Sequence, residues 1–135
     1  MKTKLLLDTN LLIYGLDAGS IFHKKTVAIL TDPNLELYTT TKNIAEYFAV
    51  CSKLIVNSDI VFQYYNDISD NVTILFPNEH SLAHFTHLIK KYAPKGNRVY
   101  DTEITSIMLA YGITTLATFN VDDFKKMTEI DLFML

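Results

Sequence analysis

The spacing of apolar residues along the chain switches repeatedly between a continuous run and a helical period. Lys4–Leu7 ends in three consecutive leucines and reads as a buried strand, stopped by Asp8. Asn10–Leu16 has the spacing of a short helix ending near Gly19, and Ser20 is placed to cap a second helix running to about Leu30. A short strand follows over Leu35–Thr39, and Thr40 or Thr41 caps a helix through about Lys53. Asp59–Ser69 predicts a helix and Val72–Phe76 a strand. Glu79–Tyr92 predicts a helix with Leu82, Phe85, Leu88, Ile89 and Tyr92 on one face. In the helix expected over Tyr100–Tyr111 the inward set is Ile104, Ile107, Met108 and Tyr111, with Gly112 suited to the C-terminal cap. Thr114–Thr118 and Ile130–Phe133 complete the series as strands.

Strands and helices thus alternate almost throughout. That order predicts an α/β protein, a parallel sheet with helices on both faces in a three-layer α/β/α sandwich. No repeat or linker divides the 135 residues, so a single domain over 1–135 is expected. Sheets of this kind carry their sites beyond the carboxyl ends of the strands, where the strand order reverses. Asp8 lies at such an end. An ionised carboxylate there is costly to bury without a counter-charge, so either Asp8 stands at a polar edge by accident or a positive partner waits there.

Composition narrows the class. Hydrophobic content of 49% and charged content of 20% fit a globular chain rather than a disordered one. The N-terminal apolar run is too short for a signal peptide or a membrane span, so a soluble, cytoplasmic protein with no membrane partner is expected. Cys51 is the only cysteine, which excludes an internal disulfide and a cysteine zinc site; its apolar, helically spaced neighbours read as packing. The net charge of −3 argues against a protein that coats nucleic acid by charge alone. It leaves room for a nuclease, whose metal-holding carboxylates count as negative.

Further carboxylates stand at positions equivalent to Asp8. Glu46 lies about one turn into its helix in N-I-A-E-Y, Asp101 opens a helix in N-R-V-Y-D-T-E, and Thr118, Asn120 and Asp123 follow a strand in L-A-T-F-N-V-D-D-F. Each has a local explanation: Asp8 and Asp101 as helix caps, Glu46 as a solvated helix residue, Asn120 and Asp123 as turn formers. Their joint pattern changes the reading, because oxygen ligands after strands or at helix starts converge on one crevice. Carboxylates crowded together raise one another's pKa values, and a hard divalent cation removes that penalty. Oxygen-only ligation selects Mg²⁺ or Mn²⁺ over zinc.

With L-L-L-D-T-N, N-I-A-E-Y, V-Y-D-T-E and T-F-N-V-D-D-F in this order, the chain resembles a PIN-domain ribonuclease of the kind that serves as the toxin in VapBC-type toxin–antitoxin pairs. The resemblance implies about five strands in the order 3-2-1-4-5, with Asp8 facing Thr118–Asp123 across the switch point. It implies Mg²⁺- or Mn²⁺-dependent hydrolysis of an RNA phosphodiester that leaves a 5′-phosphate, with Asp8, Glu46, Asp101 and Asp123 as catalytic, metal-holding carboxylates. Thr118 and Asn120 match positions that orient water, and Thr9 and Asn10 fix Asp8 or act as caps. Asn120 is the neutral variant of an often acidic position, which puts a second metal in doubt. An antitoxin and a second copy of the chain are the implied protein partners.

Lys90, Lys91, Lys95 and Arg98 form a basic run before Asp101, either solvated surface or an edge that tracks RNA phosphates. Arg98 is the only arginine, and Tyr100 beside it could stack a base or pack. His80, His84 and His87 share a helix face with zinc-capable spacing but no evident fourth ligand, and read as surface residues. Ile44, Tyr47, Phe48, Tyr64, Tyr65 and Ile68 read as core, with spare apolar surface available for an antitoxin segment. Two other functions compete: a housekeeping PIN nuclease without an antitoxin, and a PIN module that binds nucleic acid or protein with weakened turnover.

Overall fold

The computed structural model describes residues 1–54 and 57–135. In chain order the elements are β1 (Thr3–Leu7), α1 (Thr9–Leu16), α2 (His23–Leu30), β2 (Leu35–Thr40), α3 (Thr41–Lys53) and α4 (Ser58–Asn71). They continue with β3 (Thr73–Leu75), α5 (Glu79–Tyr92), α6 (Arg98–Ala110), β4 (Thr115–Ala117), α7 (Val121–Phe124) and β5 (Asp131–Leu132). The strands form one parallel sheet in the order β3-β2-β1-β4-β5, the architecture expected above.

β1 is the axis of the molecule because its leucines serve both faces. Leu5 and Leu7 join Leu11, Leu12, Ile29, Leu37, Tyr47 and Ile68 in one core. Leu6 points the other way, into Ile104, Ile107, Met108, Leu116 and Phe124. Side chains alternate across a strand, so a continuous apolar run is what a strand buried on both faces requires. All three leucines are fully buried. Each contributes about 1.5–3 kcal/mol by leaving water. Cys51 is buried in the first core, as its neighbours indicated.

Several boundaries differ from the sequence expectation. Ser20 does not cap α2: its hydroxyl accepts from the Phe22 amide at 3.1 Å, and the helix starts at His23. Phe22 sits at the cap position because its ring packs on Tyr14 and Phe119, with centroids 5.0 and 4.6 Å away. β3 stops at Leu75, which leaves Phe76 exposed. Leu82 and Tyr111 face outward rather than inward. Leu82 lines an open apolar depression between α5 and α6 with Pro77, Phe85 and Ile107. Tyr111 is the C-cap of α6 and swings out so that its hydroxyl donates to the Phe76 carbonyl at 2.8 Å. Gly112 follows with φ of 73°, the left-handed turn anticipated there. The one-turn α7 was not anticipated.

Among the described residues, no helix is long and apolar enough to cross a membrane.

Candidate functional site

Asp8 leaves β1 where the strand order reverses, between β2 and β4. Its amide donates to the Ala117 carbonyl at 3.0 Å, which ties the end of β1 to the end of β4. Its carboxylate is buried but well supplied with donors. Oδ1 accepts from the Thr9 amide at 2.8 Å, capping α1, and from Asn43 Nδ2 at 3.3 Å. Oδ2 accepts from the Thr118 hydroxyl at 2.7 Å and from Asn10 Nδ2 at 3.4 Å. Cap and site readings therefore describe the same residue.

The surrounding residues are fixed by a chain of hydrogen bonds. Asn10 also donates to the Thr118 hydroxyl at 3.2 Å, and its Oδ1 accepts from the Phe119 amide at 3.2 Å. The Thr118 hydroxyl further accepts from the Asn120 amide at 3.0 Å. Thr9 donates to Glu46 Oε2 at 3.1 Å. These bonds hold the loop after β4 and the first turns of α1 and α3 against one another. No buried side-chain nitrogen or oxygen among the described residues lacks a partner.

Two residues that matter here were missed in the sequence. Asn43 is fully buried at the start of N-I-A-E-Y. It closes a capping box with Thr40, and its Nδ2 donates to Asp8 and to the Thr9 hydroxyl. Read as a cap alone, it gives no hint that its amide reaches another element. Lys42 is the second. Its ammonium lies 3.9 Å from the centre of the Tyr100 ring and 4.0 Å from Glu103, on the Glu46 side of the site. Asn43→Ala is expected to cost about 2–4 kcal/mol, from the lost cap and the buried groups left unpaired. A urea unfolding midpoint reads this directly.

Asp8, Glu46 and Asp101 line one cleft of about 280 Å³, together with Thr9, Asn10, Tyr14 and Asn120. Asp123 stands at its border, in a shallow depression shared with Arg98 and Phe119. The carboxylates sense one another. Burial raises the Asp8 pKa and the Asp123 charge adds to this, while bonds from Thr118 and Thr9 oppose it. Burial raises Glu46, against the Thr9 hydrogen bond. Asp101 is pushed up to about 7 by burial and by the charges of Asp8 and Asp123, against the pull of Arg98.

Arg98 supplies the positive charge beside Asp101 and Asp123. Its Nη2 lies 2.7 Å from Asp123 Oδ1, and its Nη1 lies 3.4 Å from Asp101 Oδ2. Lys95 borders the same lip with Asp123 and Lys126. Lys91 is engaged elsewhere, on Glu129 at 2.7 Å, and Lys90 is exposed on α5. Tyr100 is half-exposed beneath Lys42. Asp122 is exposed and pairs with Lys125. His80, His84 and His87 are exposed on α5.

The donors fit a hard divalent cation in kind: carboxylate oxygens, mutually repelling, at the end of a buried strand. Among the described residues, no three carboxylate, imidazole or thiol side chains are drawn together tightly enough to grip an ion as they stand. The carboxylates line an open cleft, and Arg98 holds two of them.

Residues 5–130 match the model of the PIN domain. The chain belongs to the PIN domain family. No relative among curated proteins matches the sequence. Solved structures do. VapBC-1 of nontypeable Haemophilus influenzae is 25% identical with a TM-score of 0.71, over 97% of each chain. VapC20 of Mycobacterium tuberculosis, a sarcin–ricin-loop-cleaving toxin, is 14% identical with a TM-score of 0.72, over 91% of this PIN domain and 95% of that chain. A toxin–antitoxin complex of Klebsiella pneumoniae is 19% identical with a TM-score of 0.70, over 94% and 95%. The PIN fold shared with these proteins is the one the sheet order already described.

Proposed function

We propose that this PIN domain is a divalent-metal-dependent endoribonuclease and the toxin of a toxin–antitoxin pair. The observation that carries the reading is the placement of Asp8, Glu46 and Asp101 around one cleft at the strand-order reversal, with Asp123 at its edge. Family membership and the toxin structures of similar fold support it. Asp8, Glu46 and Asp101 hold the ion, Mg²⁺ or Mn²⁺, and Asp123 contributes from the border. The ion, when bound, polarises a phosphate oxygen and makes water a stronger nucleophile. Glu46, whose Oε2 accepts from Thr9, or Asp101 takes the proton of the attacking water. Thr118 and Asn10 keep Asp8 in one orientation, and Asn120 faces the cleft beside them.

RNA enters along a rim with cations at both ends, Lys95 and Arg98 on one side and Lys42 over Tyr100 on the other. Lys95→Ala and Lys42→Ala are each expected to weaken RNA binding and to lower the slope of log K against log salt by about 0.7. Filter binding over a salt series measures this, and unchanged slopes would return both lysines to plain surface. The antitoxin covers the apolar face of α3 and α4, where Phe62 is exposed beside Phe48 and Tyr65.

The deciding experiment incubates the purified protein with RNA in Mg²⁺, in Mn²⁺ and with chelator, and maps the product ends. Metal-dependent internal cuts bearing 5′-phosphates are expected. Cleavage that persists with chelator, or cyclic-phosphate ends, would overturn the reading.

A further inference from the structure

Arg98 sits where local energetics disfavour it. It is the first residue of α6, and a cation at a helix N-terminus opposes the helix dipole. Its N-cap, Asn97, makes no side-chain capping bond that would compensate. What holds the guanidinium is the pair of carboxylates, Asp123 at 2.7 Å and Asp101 at 3.4 Å. The burial is uneven. Asp101 and Asp123 are 19% and 22% exposed, whereas the Arg98 side chain is 52% exposed. The guanidinium therefore lies across the carboxylates from the solvent side, free to leave without disturbing the core. Arg98 already lines the same lip as Lys95.

A divalent cation and Arg98 meet the same electrostatic need. Asp101 and Asp123 repel each other and Asp8, and either positive partner relieves that repulsion. A divalent ion held by Asp8, Glu46 and Asp101 would carry twice the charge of a guanidinium. Resting on the metal-dependent reading above, we propose that Arg98 is an exchangeable counter-cation: it holds Asp101 and Asp123 in the metal-free protein, and divalent metal releases it to bind an RNA phosphate. Metal loading and capture of RNA are then coupled through one side chain, because the planar fork that grips carboxylates also matches phosphate. A permanent latch between α6 and α7 is the alternative, in which Arg98 stays paired whether or not metal is bound.

Arg98 is the sole arginine, so its side-chain nitrogens give an unambiguous NMR signal. Uniformly ¹⁵N-labelled protein is titrated with Mg²⁺ while the Arg98 Nε–H signal and the Thr9 amide, which donates to Asp8, are followed together. The proposal expects both to move with one midpoint, with Arg98 approaching the position of free arginine and its Nη groups exchanging faster. A Thr9 shift with Arg98 unchanged identifies the latch and overturns the exchange while leaving the metal site intact. No shift of either signal overturns the metal reading and the exchange with it. Arg98→Ala, followed through Thr9, is expected to bind Mg²⁺ about three- to tenfold more tightly, the loss of two partly exposed ion pairs that compete with the metal. Equal or weaker affinity in that variant would also overturn the exchange.

Discussion

Asp8→Asn is expected to lower RNA cleavage by on the order of 10³-fold, about 4 kcal/mol of transition-state stabilisation, while the fold persists. The substitution keeps the shape and removes the charge that an ion needs. The hydrogen bonds show why the structure tolerates it. The asparagine oxygen can keep the Thr9 amide and Asn43 Nδ2. Its amide then faces Asn10 Nδ2, which can only donate, and the Thr118 hydroxyl, which already accepts from Asn10 Nδ2 and the Asn120 amide and can take the new bond only by releasing one of them. One long contact of 3.4 Å becomes donor against donor. Against that stands relief of a buried charge whose pKa burial and Asp123 both raise. The two effects oppose each other, so the melting temperature should stay within about 5 °C of wild type. Initial rates on a fixed RNA and a thermal melt of each protein test both halves. Near wild-type turnover in Mg²⁺ would remove Asp8 from the centre of the site. Collapse of the fold would show that the hydrogen-bond argument misjudged its role.

The core of this fold was legible because it rests on periodicity. An uninterrupted Leu5-Leu6-Leu7 has few uses other than a strand buried on both faces, and the helical stripes of α5 and α6 place Leu88, Ile104, Ile107 and Met108 correctly. Ends of elements were less legible. Leu82 and Tyr111 continue their stripes in sequence, but Leu82 borders an open depression between α5 and α6, and Tyr111 turns outward to bond the Phe76 carbonyl. Ser20 is a good cap by type, yet the aromatic contacts of Phe22 with Tyr14 and Phe119 decide where α2 begins. The carboxylates were visible because each stands just after a strand or within the first two turns of a helix. Asn43 was hidden because its second role, bonding Asp8, depends on β1 and α3 lying side by side. Lys42 was hidden for a related reason: its partners Tyr100 and Glu103 are far away in sequence. Contacts between elements are set by topology, and local pattern carries no record of them.

Without divalent metal, stability is expected to fall as pH rises from about 4 to about 7, and metal should reverse that slope. Asp101 carries most of the effect. Its carboxyl is displaced from the ordinary 3.8 to about 7 in the folded protein, by burial and by Asp8 and Asp123. Between those values the native state holds a proton that the unfolded chain has lost, so folding is favoured on the acid side. The favourable contribution is complete below the unfolded value and is lost as pH rises through the folded one. A displacement of this size corresponds to at most about 4 kcal/mol, reduced by whatever exposure the carboxyl retains. Asp8 and Glu46 are displaced in the same direction and add to the slope. Asp122 and Glu129 are displaced downward on exposed ion pairs, so their contributions fade only as pH falls below the ordinary carboxylate range, outside this window. Metal needs the deprotonated carboxylates, so the stability it adds grows with pH. Asp101→Asn should therefore flatten the metal-free profile and leave the protein as stable as wild type or more so near neutrality, while shrinking the gain from Mn²⁺. Urea midpoints at about pH 5 and about pH 7.5, with chelator and with Mn²⁺, separate these terms. An unchanged metal-free profile in the variant would mean that Asp101 does not share the charge cluster. An unchanged Mn²⁺ gain would mean that it does not hold the ion.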